Sequence, residues 1–174
     1  IPTDILTSQM ELNVDILTSI KQCSLILTAL LGPANPPASD SLFEERVMVC
    51  SLIIDEAQRQ DVPVDIALAV AWQESDMTEA GTNPWGCTGP MQIKIKYWCP
   101  NLQGEWSATR ADGVLAGCDV YERGLFALKY YLNRFRTTES ALCAYGWGAC
   151  DDEGREKYVK QTLSYRKIIR KKLK

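Results

Sequence analysis

Residues 65–75 read Asp-Ile-Ala-Leu-Ala-Val-Ala-Trp-Gln-Glu-Ser and, across a loop, residues 86–93 read Gly-Cys-Thr-Gly-Pro-Met-Gln-Ile. From Ile66 to Trp72 every residue is apolar. Such a run leaves no polar face to turn toward water, so it predicts a helix buried on all sides. Pro63 suits its first turn, and the Gly-rich loop that begins near Gly81 limits it downstream, which places Glu74 in the last turn. Apolar walls disfavour an ionised carboxyl, and the negative end of a helix dipole pushes the same way. That combination makes a proton donor near neutral pH. A glutamate in a last helical turn is most often simply solvated, so position alone does not decide its role.

Working outward, Ser41-Leu42-Phe43-Glu44 forms a capping-box pattern. A helix is predicted from there to about Gln60, with Phe43, Val47, Cys50, Ile54 and Ala57 on one side and Asp61-Val62-Pro63 as the turn into the next element. Thr78 to Gly89 is rich in turn residues and predicts irregular backbone. Tyr97 to Ala116 carries no clear period, being interrupted by Pro100, Gly104 and Gly113. A helical period returns from Asp119 to Phe135 through Leu125, Leu128, Tyr131 and Leu132. Thr137 or Thr138 can cap a following helix that ends at Tyr145-Gly146-Trp147-Gly148.

Upstream, residues 1–32 predict an amphipathic helix, in which Asp4-Ile5-Leu6-Thr7-Ser8 recurs as Asp15-Ile16-Leu17-Thr18-Ser19. The shift of eleven residues puts both copies on nearly one face, for packing on the chain's own domain or on a protein partner. Residues 33–40, with three prolines, predict an extended linker, and the domain proper is expected over residues 41–174.

Composition removes several chemistries. The 174 residues are 46% hydrophobic and 24% charged, ordinary for one globular domain, and no apolar run approaches the roughly 18 residues of a membrane span. The chain opens at Ile1 without a Met, which allows for a processed leader or a longer precursor. There is no histidine, so Ser-His and Cys-His nucleophiles and His-based metal sites are excluded. Carboxylate chemistry survives, and glycosidic cleavage is its commonest form. Seven cysteines without a Cys-x-x-Cys spacing point to disulfides and an oxidising compartment rather than to a metal. Cys87–Cys99 and Cys143–Cys150 are the short closures expected, with small buried thiols as the alternative for Cys50 and Cys143. Six of the 19 basic residues fall in positions 166–174, leaving residues 1–165 at −9 once those six are taken from the overall −3. A basic tip of this kind suits anionic polymers or lipid headgroups, or simply the negative end of a helix.

The stretch from Asp65 to Ile93 resembles the lytic transglycosylase domain of the lysozyme-like superfamily, related to goose-type lysozymes. There an apolar helix ends in Glu-Ser and a Gly-Ala-x-Gly-Leu-Met-Gln segment follows; here Glu74-Ser75 precedes Gly86-Cys87-Thr88-Gly89-Pro90-Met91-Gln92. Cys87 and Pro90 depart from the pattern without removing a reactive group. Ala144-Tyr145-Gly146-Trp147-Gly148 resembles the family's Ala-Tyr-Asn-x-Gly, with Gly146 in place of the asparagine that helps shape the cleft. Tyr158-Val159 resembles its closing Tyr-Val pair, followed by Tyr165.

The resemblance implies an all-α, lysozyme-like domain with an irregular region, open to short strands, after the catalytic helix. It implies Glu74 as the catalytic acid, oriented by Ser75, with Ser75, Gly89, Met91, Gln92, Tyr145 and Tyr158 at the substrate. Gln92 suits the acetamido and hydroxyl groups of an amino sugar. Met91 is expected against the sugar's apolar face or as core filler, and Tyr145 close to Glu74. The expected partner is the peptidoglycan glycan strand, met in a periplasmic, extracellular or virion-associated setting. Neither cofactor, metal, nucleic acid nor membrane span is expected. The implied reaction is lytic transglycosylation, cleaving between N-acetylmuramic acid and N-acetylglucosamine and closing a 1,6-anhydro ring. A water-using lysozyme and an inactive glycan-binding or assembly module, docked through the N-terminal helix, are the alternatives, the second favoured by Gly146. Asp76 and Glu79 are the carboxylates nearest Glu74 in sequence, and neither is marked as its partner.

Overall fold

A computed structural model describes residues 3–32, 40–100, 114–115, 117–148 and 153–174. The described residues form an all-α structure of seven helices with two minimal antiparallel pairs of strands. In chain order these are α1 (Thr3–Leu31), α2 (Asp40–Arg59), α3 (Val64–Ser75), β1 (Cys87–Thr88), β2 (Ile93–Lys94), α4 (Ile95–Trp98), β3 (Val114–Leu115), β4 (Cys118–Asp119), α5 (Val120–Arg134), α6 (Thr138–Trp147) and α7 (Glu153–Lys172). The expected linker over 33–40 lies outside the described residues except for Asp40, which opens α2.

The apolar run makes α3 the core helix, buried from Asp65 through Trp72 and packed against α7 and α2. Asp65 is the exception among these apolar residues. Burial alone would raise its carboxyl, but Arg166 and Arg170 of α7 bond to its Oδ2 at 2.7 and 2.9 Å and hold it below the usual carboxylate range. A buried acid in the first turn of a helix is also favoured by the positive dipole end. Two of the six basic residues in the tail are therefore tied inward to α3 rather than presented to a partner.

Beyond Glu74, Asp76 and Met77 both take positive φ, 53° and 60°, a conformation that side chains ordinarily avoid. It is stabilised by return bonds from Asp76 N to Trp72 O and Met77 N to Ala71 O, by full burial of Met77, and by Arg46 of α2, which donates to Asp76 O at 3.0 Å. The guanidinium of Arg46 also lies 5.4 Å from the Trp72 ring centroid. Together these contacts fix how α3 ends. Thr137, one of the two expected caps, accepts from Ser140 N, and Asp119 caps α5 by accepting from Tyr121 N and Glu122 N.

In α1, Cys23, Ile26 and Leu27 are fully buried, and the helix packs on α2 and α7. The expected cysteine pairing needs correction. Cys23 bonds Cys50, linking α1 to α2, and Cys99 bonds Cys118 rather than Cys87. The one-turn α4 carries Cys99 toward β4, whereas Cys87 stands opposite Lys94 in the β1–β2 pair and keeps a free thiol. Cys143 is disulfide-bonded, and Cys150, its expected partner, lies outside the described residues. Cys50 and Cys143 are thus not simple buried thiols.

Candidate active site

Glu74 leaves the last turn of α3 where the helix emerges from the core, keeping part of its surface open to solvent. Tyr158 of α7 donates its hydroxyl to Glu74 Oε1 at 2.6 Å. Burial raises the Glu74 carboxyl to about 7, and the tyrosine bond acts against that rise. No described carboxylate contributes to the shift. Asp76 is exposed at the helix cap, and Glu79 accepts the hydroxyl of Tyr121 while its own N–H donates to Glu45. The arrangement is one carboxyl raised toward neutral pH, with one donor among the described residues, Tyr158, holding one of its oxygens.

Tyr145 of α6 lies deep beside it. Burial pushes its phenol well up, and the charge of Glu74 adds to the effect, but the hydroxyl donates to Met91 O at 2.7 Å rather than to the carboxyl. Tyr158, and not Tyr145, is the hydrogen-bond partner of Glu74. Ser75 does not orient Glu74 through its hydroxyl: it donates to Ala71 O and accepts from Thr78 N, bracing the end of α3.

The β1–β2 turn forms the other wall. Gly89 has φ 74°, and a Cβ there would come within 2.8 Å of Val120 on α5, so only glycine fits. It is buried inside the wall. Met91 is likewise 1% exposed, with its sulfur against Gly124 of α5. The core alternative holds for its side chain; only its carbonyl reaches the site, through Tyr145. Gln92, half-buried at φ 45°, donates to Gly89 O and accepts from Asn83 Nδ2, both at 3.0 Å. Each end of its amide retains hydrogen-bonding capacity for a ligand.

Asn83 is the residue that sequence reasoning missed. Its Oδ1 accepts from Trp85 N and Cys87 N while its amide holds Gln92, so it organises the whole turn. An asparagine before Pro84 in a turn-rich stretch was the available signal. Gly146 also finds a reason: a Cβ at that position would sit 3.0 Å from the Tyr158 ring. The missing side chain admits the tyrosine that contacts Glu74. Among the described residues no group of three or more potential metal ligands occurs, and no helix is long and apolar enough to cross a membrane.

The family model described as the transglycosylase SLT domain matches residues 51–168, which span α3, the β1–β2 wall, α6 and nearly all of α7. Comparisons with curated proteins and with solved structures gave no match.

Proposed function

The chain belongs to the transglycosylase SLT domain family, and from that premise we propose that it is a peptidoglycan lytic transglycosylase with Glu74 as its single acid and base. Membership supports transglycosylase chemistry on peptidoglycan, exercised outside the cytoplasm; the two disulfides among the described residues are compatible with that setting. The carrying observation is the Glu74 carboxyl, raised to about 7 by burial. A group so placed gives up a proton and takes one back at the same pH.

Glu74 protonates the glycosidic oxygen as the C1–O bond breaks, and positive charge develops at the muramyl anomeric carbon. The substrate's own acetamido oxygen captures C1. The Glu74 carboxylate then removes the proton of the muramyl 6-hydroxyl, O6 displaces the acetamido oxygen from C1, and a 1,6-anhydro ring closes. The proton is back on Glu74, and no water is consumed. Tyr158 holds one carboxyl oxygen so that the other faces the bond. Gln92, fixed by Asn83, supplies amide contacts to the sugars. A hydrolase of the two-carboxylate type needs a second carboxylate within roughly 5–9.5 Å, and no described carboxylate perturbs Glu74.

Mass spectrometry of digested peptidoglycan tests the product: anhydromuramyl ends are expected, and reducing muramyl ends would replace this reading with a lysozyme. Glu74→Gln is expected to lower turnover at least a hundredfold, in line with loss of a general acid. Equal rates in the variant and the natural chain would leave only a glycan-binding role.

A further inference from the structure

A chain of aromatic rings leaves the cleft on the α5 side and takes no part in the chemistry at Glu74. Tyr131 meets Tyr145 edge-on at 5.9 Å, Tyr130 meets Tyr131 at 5.3 Å, and Trp98 of α4 meets Tyr130 at 5.7 Å and Phe126 at 6.1 Å. Edge-to-face contacts of this kind belong to packed cores. Here they run out to the surface, with Tyr97 63%, Tyr130 49% and Phe126 48% exposed. Phe126 and Tyr130 are four residues apart on α5, whose other face buries Leu125, Ala127 and Leu128. The helix therefore directs both rings outward by its period, and contiguous exposed rings mark a surface with a partner.

Trp98, next to Tyr97 in the chain, meets Tyr130 at 5.7 Å and Tyr131 at 6.0 Å, so that tyrosines flank one tryptophan. Lys96 Nζ lies 5.6 Å from the Tyr97 ring centroid and the Arg123 guanidinium 5.9 Å from that of Phe126, so rings with hydroxyl and cationic donors beside them match a pyranose, which has an apolar C–H face and a rim of hydroxyls. The strip is tied to the cleft wall from within, because Tyr145 bonds Met91 O on one side and touches Tyr131 on the other. We propose that Tyr97, Trp98, Phe126 and Tyr130 form an accessory saccharide platform that holds units of the glycan strand beyond those seated at Glu74. The proposal rests on the reading that the cleft takes a glycan strand, and it extends that reading by a second binding surface.

The test is calorimetric titration of the full chain carrying Glu74→Gln, so that ligands survive, with chitobiose and chitohexaose as probes. The hexamer is expected to bind about tenfold tighter than the dimer, the scale of one or two ring contacts. Adding Tyr97→Leu and Tyr130→Leu should erase that gain, while Tyr97→Phe with Tyr130→Phe should keep the part that the ring faces supply and lose the part that the hydroxyls supply. Should the leucine pair fail to fold, Phe126→Leu carries the same comparison. Equal binding of dimer and hexamer, or a gain that survives loss of the rings, overturns the platform. So does a leucine pair that loses adsorption to phosphatidylglycerol vesicles while its saccharide titration stays unchanged, since the surface would then serve lipid. Cleavage persisting in Glu74→Gln would sink the assignment of the acid and leave the titration to judge the platform separately.

Discussion

At Glu74 two opposing influences meet in one carboxyl, and each can be removed separately. The hydroxyl of Tyr158 stabilises the charged form, so Tyr158→Phe should raise the carboxyl above its present value of about 7. The alkaline limb of kcat/KM, which reports the protonated acid in the free enzyme, should move up by about one pH unit, the scale of one hydrogen bond to a charged group. Gly146→Asn should act in the same direction, because its Cβ meets the Tyr158 ring at 3.0 Å. In a Tyr158→Phe background the asparagine should add no further shift, and a pH–rate profile of the four proteins checks this. Seven apolar residues before Glu74 made its burial readable from the sequence. The partner was not readable in the same way: Tyr158 is 84 residues distant, and only the family resemblance brought it forward. Met91 and Ser75 show the limit of such a resemblance, since a motif residue can serve by packing or by bracing a helix end without facing a ligand.

Among the elements, periodicity and caps were enough to locate α1, α2, α3, α5 and α6 but not α4 or α7, and contacts between helices were where sequence reading fell short. Nothing local announces that Asp65 meets Arg166 and Arg170; the signal was two arginines four apart, on one face of α7. Asp65→Asn should destabilise the fold by about 1.5–3 kcal/mol at neutral pH, as charged hydrogen bonds are lost from a buried site. The carboxyl is held below its unfolded value, so its contribution is present above the ordinary aspartate range and fades as pH falls through the depressed value. The difference between natural chain and variant in urea melts should therefore shrink in acid. Cysteine pairing escaped the sequence for a related reason, because loop length favoured Cys87–Cys99 while the folded path of α4 delivers Cys99 to Cys118. The Cys23–Cys50 bridge closes a separation of 27 residues between α1 and α2. Cys23→Ser with Cys50→Ser should cost about 3.5 kcal/mol by loop entropy, read as a lower urea midpoint.

For the molecule as a whole, the acid is a burden on stability. Its carboxyl is raised in the folded chain, so folding loses free energy as pH rises through about 7, whereas an unfolded glutamate ionises from about 4.5. Below the lower value both states are protonated and no penalty exists. Above the upper value the penalty is on the order of 3 kcal/mol. Glu74→Gln should therefore melt at a higher temperature than the natural chain at pH 8 and at nearly the same temperature at pH 4, even though it has lost its turnover. Scanning calorimetry at the two pH values measures this directly, and a variant that is no more stable at pH 8 would show that the carboxyl is better solvated than its surroundings indicate. The tuning of that acid also has an order in time. Glu74 comes from the third helix and its tyrosine from the seventh, so a nascent chain that has emerged only as far as α6 holds an acid without its positioning hydroxyl, and the complete pair assembles only when the last helix docks.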